Sequence, residues 1–139
     1  MLLILYRQGV LRLAIHESAE NYLETILMLS QIKPEVRSID IANELNFSKP
    51  SVSVAMKNLR NSGHIQVDSN GFITLTESGY AIASTIYERH TVLSRALMSL
   101  GVDEETAVQD ACRIEHVISP ESFQAIKEHL NSRKESMKQ

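Results

Sequence analysis

The sequence predicts a mostly α-helical chain with a small β-hairpin wing, arranged as a winged helix-turn-helix followed by a helical dimerisation region. Three observations predict it. Two short, capped, amphipathic stretches lie close together at 38–45 and 48–61. An alternating apolar pattern broken by Asn70-Gly71 follows directly. Beyond it run three more capped helical stretches, the first of them long.

The first helix is read over Ser18–Gln31. Tyr22, Leu23, Ile26, Leu27 and Leu29 recur at helical spacing, with Glu20 and Glu24 in the early turns, where acids complement the positive end of the helix dipole. Lys33-Pro34-Glu35 stops it, because proline cannot continue the hydrogen-bond ladder. Ser38 is read as the N-cap of Ile39–Leu45. Asn46-Phe47 connects to a second cap, Ser48, with Pro50 in the first turn, where its missing N–H costs nothing. That helix carries Val52, Met56 and Leu59 on one stripe and ends at Ser62-Gly63, glycine being a natural left-handed terminator. His64–Val67 and Phe72–Leu75 alternate around Asp68-Ser69-Asn70-Gly71, a strong hairpin signal. Thr76 caps a long helix that passes through Tyr80, Ile86, Leu93 and Leu97 to Gly101. Asp103 caps another to about Ile118. Ser119-Pro120-Glu121 opens a last one through Phe123, Ile126 and Leu130, and the polar tail NSRKESMKQ is expected to fray.

The chain has 139 residues, 43 % hydrophobic and 22 % charged, which is enough apolar material for a core. Its single cysteine, Cys112, rules out an internal disulfide and agrees with a cytoplasmic setting. The opening MLLILYRQGVLRL is too short, and too interrupted by Arg7, Gln8 and Gly9, to cross a bilayer. It is read as an N-terminal extension, 1–16, packing on the body or on a partner chain. The formal net charge is −3. From Lys33 to Ile65, however, Lys33, Arg37, Lys49, Lys57 and Arg60 face Glu35, Asp40 and Glu44, so that stretch is +2 and the remainder −5. A basic module on an acidic body suits contact with nucleic acid through one face.

In a helix-turn-helix the second helix enters the major groove of DNA, its N-terminal residues nearest the base edges. Here these are Ser48, Lys49, Pro50, Ser51, Ser53 and Val54. The hydroxyls and the helix start suit phosphates or bases, and Pro50 and Val54 suit a thymine methyl. Lys49, Lys57 and Arg60 add backbone contacts, and Ser38 belongs to the same surface. The hairpin tip has no positive charge, so little is expected of the wing. The same fold also serves as a pure protein-interaction module, in which Ser48 and Ser51 are only caps.

Cys112, Glu115 and His116 stand at i, i+3 and i+4, on one face if the stretch is helical. Together they offer S, O and N donors to a divalent ion, and a fourth donor has to come from elsewhere, with His90 and Glu24 as candidates. Read alone, the same residues fit a small core cysteine beside a solvated Glu–His pair equally well. His16, His64 and His129 read as ordinary residues.

Four runs then carry a resemblance: ESAENYLETILMLSQ, SIDIANELNFSKPSVSVAMKNLRNSGHI, GFITLTESGYAIASTIYERH and ACRIEHVIS. In order and spacing, over about residues 17–130, they resemble the diphtheria toxin repressor family, and within it the two-domain branch that includes manganese transport regulators. The resemblance implies a homodimer that binds Mn(II) or Fe(II) and then operator DNA. By position, Glu24, His90, Glu115 and His116 match ligands of the manganese-type site. Cys112 falls where the iron-type branch has a Cys and the manganese-type branch a Glu. Asn21 falls where those branches have Met and Asp, and it can offer only a neutral carbonyl oxygen. Ser94 and Val108 stand where the iron-type branch has its second-site ligands, which argues against that second site here.

The expectation is therefore a winged helix-turn-helix DNA-binding domain at 17–76 and, at 77–139, a linker helix with a metal-binding and dimerisation domain. Val117, Ile118, Phe123, Ile126 and Leu130 are expected to supply much of the dimer surface. The function implied is metal-dependent repression of transcription in metal homeostasis, with no membrane partner. The alternative is a metal-independent winged-helix regulator sensing a small organic ligand. No separate acid/base constellation accompanies the cluster, so no enzyme is expected.

Overall fold

The computed structural model describes the backbone of residues 2–138 and the side chains of residues 17–138. The expected packing of the 1–16 extension and the role of His16 lie outside the described side chains. Two compact units divide within the long helix, residues 1–84 and 85–139.

In the first unit, α1 (Leu2–Ile32) is followed by α2 (Ser38–Leu45), α3 (Lys49–Asn61), β1 (Ile65–Val67) and β2 (Ile73–Leu75). The stripe anticipated on α1 is buried: Tyr22, Leu23, Ile26, Leu27 and Leu29 join Ile41 and Ala42 of α2, Val52, Met56 and Leu59 of α3, and Ile65 and Ile73 of the hairpin in one core. α2 and α3 each turn one face inward, whereas α1 is buried at every position from Tyr22 to Leu27. The helix itself starts far earlier than Ser18, at Leu2. No cap or proline interrupts the stretch before it, so nothing ends the helix there.

The N-cap of α2 is Arg37, one residue before the expected Ser38. Its backbone N–H donates to Asp40 Oδ2 at 2.8 Å, so the acid three residues on satisfies the exposed donor at the helix entry. Asn46 closes α2 in the left-handed region, φ 55°. Ser48 caps α3, accepting from Ser51 N at 3.3 Å. β1 and β2 pair antiparallel in the register Ile65↔Leu75, Gln66↔Thr74, Val67↔Ile73. Ile73 N also donates to Val36 O at 2.7 Å, tying the segment before α2 to the wing. Gly71 at the tip has φ 82° and supplies the handedness that the turn needs.

α4 (Glu77–Ser99) begins in the first unit and continues into the second. Thr76 caps it, accepting from Gly79 N at 3.3 Å and donating to Gly63 O at 2.7 Å. A Cβ at Gly79 would fall 1.9 Å from His64 O, so only glycine lets the first turn of α4 rest on the wing's entry. In the second unit, α5 (Glu104–Ile114) follows Gly101 and the cap Asp103, and α6 (Pro120–Met137) follows the cap Ser119. α5 ends sooner than the expected Ile118, while α6 includes most of the tail expected to fray. That tail is rich in Arg, Lys and Glu, which lose little side-chain freedom in a helix.

Candidate metal centre and nucleic-acid interface

The second unit gathers three donors of different chemistry. His90 comes from α4, Cys112 from the last turn of α5, and Glu115 is the residue that caps the C-terminus of α5. Their ligand atoms lie within 4.8 Å of one another. His90 Nδ1 and Glu115 Oε2 share a 2.9 Å hydrogen bond, and Cys112 Sγ stands 3.7 Å from the same nitrogen. An ion holding N, O and S donors at about 2.0–2.3 Å, at angles near 90–110°, spaces neighbouring donors about 3–3.7 Å apart. The two separations at His90 Nδ1 match that spacing.

The electrostatics agree. The Glu115 side chain is 1 % exposed. A carboxylate out of water has to be compensated, and here imidazoles stand at both of its oxygens. His90 meets Oε2, and His116 Nε2 lies 3.4 Å from Oε1.

These positions bear on the alternatives that the residues left open. Cys112 is exposed and not a core residue, and Glu115 is buried and not one of a solvated pair. The shared-face expectation also changes. α5 ends at Ile114; His90, already a candidate donor, joins Cys112 and Glu115 in the cluster, and His116 attaches through Glu115. Glu24 and Asn21 are on α1 in the first unit, Glu24 buried and Asn21 exposed. Ser94 is buried on α4, its hydroxyl donating to His90 O at 2.7 Å.

Arg89 was not anticipated. Its Nη1 donates to the carbonyl oxygens of Glu115 and Ile118, each at 3.2 Å. An arginine beside an anticipated histidine gives no periodic signal, because its partners are backbone atoms that only the fold brings near. Phe123, expected on a dimer surface, is buried, with the Arg89 guanidinium over its ring. Elsewhere in this unit Leu93, Leu97, Ile114, Ile118, Ile126 and Leu130 line an apolar cleft of about 400 Å³.

In the first unit, the buried stripe of α3 leaves the opposite arc free. Ser48, Lys49, Pro50, Ser51, Ser53, Val54, Lys57 and Arg60 are all exposed, while Ser38 is half-buried. Val54 is 60 % exposed, an apolar side chain on a face that is polar apart from it and Pro50. Ser48 also donates to Ser51 Oγ at 2.8 Å, so the two hydroxyls are joined before any ligand arrives. Arg37, counted before only as charge, is exposed with its guanidinium 4.6 Å from the Phe72 ring centroid. Among the described residues no helix is long and apolar enough to cross a membrane.

Comparison with known proteins agrees with both halves. The iron dependent repressor N-terminal DNA binding domain matches residues 14–71, and the iron dependent repressor metal binding and dimerisation domain matches residues 76–139. An uncharacterized HTH-type transcriptional regulator of Methanocaldococcus jannaschii is 33 % identical over 113 residues, covering 80 % of this chain and 90 % of that protein. The transcriptional regulator MntR of Escherichia coli O157:H7 is 33 % identical over 111 residues, covering 80 % of this chain and 72 % of that one. The solved structure of the manganese regulator SloR aligns with a TM-score of 0.73 at 27 % identity, over 81 % of this chain and 53 % of that chain. The chain thus spans about half the length of that solved chain. With one family matched across both of its halves and relatives of this identity along four-fifths of its length, the chain belongs to the diphtheria toxin repressor family of iron-dependent repressors and manganese regulators.

Proposed function

We propose that the chain is a metal-dependent, DNA-binding transcriptional repressor of metal homeostasis, active as a homodimer with Mn(II) or Fe(II). The observation that carries this reading is the convergence of His90 Nδ1, Cys112 Sγ and the Glu115 carboxylate within 4.8 Å, in the part of the chain matched by the family's metal-binding model. An N, O and S donor set suits a first-row divalent ion of intermediate softness.

In this reading His90, Cys112 and Glu115 hold the ion. His116, at the second Glu115 oxygen, and Glu24 and Asn21, carried by the family resemblance, are further ligands. Bound, the ion would supply the cross-link between elements far apart in sequence. Ser38, Ser48, Lys49, Pro50, Ser51, Ser53, Val54, Lys57 and Arg60 form the DNA-reading face. The apolar cleft between α4, α5 and α6 contributes to the dimer surface. A metal controls DNA binding only through different affinities for two conformations, so the metal-bound form has to be the DNA-competent one. The relatives named above are regulators, and this chain is read as a regulator and not as an enzyme.

The test is a mobility shift on a duplex selected from a random pool by the metal-loaded protein. Tight binding is expected with Mn(II) or anaerobic Fe(II), and its loss in chelator. Equal affinity in both would replace metal control by the small-ligand alternative, as would unchanged DNA binding in Glu115→Ala and His116→Ala.

A further inference from the structure

Arg89 and His90 are consecutive on α4, so their side chains leave the helix about 100° apart. Both reach the segment that follows α5. His90 takes the Glu115 carboxylate, and Arg89 takes the backbone carbonyls of Glu115 and Ile118. Those carbonyls lie past the end of α5, where intrahelical donors have run out. A cation placed there also meets the negative end of the α5 dipole. The guanidinium carbon lies 5.6 Å from the centroid of Phe123, a buried residue of α6. Arg89 Nε is buried without a hydrogen-bond partner. The side chain is therefore placed by its two carbonyls and its aromatic neighbour, not by saturation of its donors.

Resting on the metal reading above, we propose that Arg89 is a positioning residue for the metal centre. It pins the backbone of residues 115–118 to α4, so that the Glu115 carboxylate stays at coordination distance from His90. Through Phe123 it also registers that segment on α6. Two anchors from adjacent residues fix both the position and the rotation of the segment, which one side-chain contact alone would not do. Arg89 touches no ligand atom itself, and its effect passes entirely through the placement of Glu115 and its neighbour His116.

The experiment is a Co(II) titration of the full chain, wild type against Arg89→Met and Arg89→Lys. It is followed by the cobalt d–d bands and the thiolate-to-metal absorption, with a thermal melt of each metal-free protein. Loss of an outer partner typically costs about 10–100-fold in metal affinity, and Arg89→Met is expected in that range with an altered d–d spectrum. Arg89→Lys, which still offers a cation and several N–H donors to the two carbonyls, is expected to recover part of the affinity and the wild-type spectrum. If Arg89→Met does not fold, Arg89→Gln against Arg89→Lys makes the same comparison. Wild-type affinity and spectrum in the neutral variant, with or without a lowered melting temperature, would overturn the proposal. A wild type that takes up neither Co(II) nor Mn(II) would instead remove the metal reading, and this inference with it.

Discussion

At Glu115 the chain keeps a carboxylate at 1 % exposure with an imidazole at each oxygen. Burying a charge costs several kcal/mol before pairing returns any of it, and removing one member of a buried pair leaves the other without its compensation. A residue of this kind is easier to understand as a ligand than as a fold determinant, and the two roles separate in one variant. Glu115→Gln keeps the volume and removes the charge. The amide oxygen can still accept from one imidazole, so the metal-free protein is expected to melt somewhat lower yet still fold, while calorimetric Mn(II) affinity falls by more than the ~100-fold that bounds loss of an outer partner. A lowered melting temperature with metal affinity intact would assign Glu115 to stability instead. The sequence located this residue and named His90 among its candidate co-donors, but read alone it left a solvated Glu–His pair open. A Cys-x-x-Glu-His spacing specifies side-chain types along a helix, whereas the burial of Glu115 and the arrival of His90 depend on where α4 passes.

Among the elements, α2 shows how much a local charge pattern decides. Asp40 accepts from Lys33 Nζ and from Arg37 N, and these two bonds, the lysine's first, hold its carboxyl below the usual carboxylate range. A folded value below the unfolded one of 3.8 contributes stability that is full above that pH and is lost as the pH falls through the folded value. Asp40→Ala is expected to cost about 0.3–1 kcal/mol at about pH 7, the usual magnitude for an acid lost from the first turn of a helix. In urea unfolding the gap between the two proteins should shrink by about pH 3, and a constant gap would remove the charge from the account. Caps of this kind explain why most elements were legible in the sequence. Ser48, Thr76, Asp103 and Ser119 each accept from a backbone N–H in the first turn of their helix, and each is recognisable three residues ahead of its target. The ends that lacked such a marker were misread. α1 continues back to Leu2 with no cap to stop it, α2 takes its cap from Arg37 and not Ser38, and α5 stops at Ile114 although Glu115-His116 could have continued it. Gly79 and Arg89 were invisible for another reason, since each answers to a carbonyl that is remote in sequence.

Over the whole molecule, the net charge of −3 and the local +2 between Lys33 and Ile65 pull in opposite directions for a chain proposed to bind a polyanion. The resolution is spatial. Lys49, Lys57 and Arg60 stand exposed on α3 in one compact unit, and the His90, Cys112 and Glu115 cluster lies in the other. Phosphate contacts release counterions, so affinity falls with salt at a slope set by their number, and each lost lysine contact flattens that slope by about one. In the proposed function, metal held by His90, Cys112 and Glu115 acts through which conformation is populated and not through these lysine contacts themselves. Two variants should therefore fail in different ways. Lys57→Ala is expected to weaken DNA binding, flatten the salt dependence by about one for each protomer, and leave the DNA-free Mn(II) titration as in wild type. Glu115→Gln is expected to lose the Mn(II) titration and the metal-induced gain in DNA affinity, while its residual binding keeps the salt slope of the metal-free wild type. Fluorescence anisotropy across a salt series, beside calorimetry without DNA, reads all four quantities. A change in DNA-free metal affinity in Lys57→Ala would show that the lysine acts on the metal centre as well as on phosphate, and the division of labour between the two units would fall.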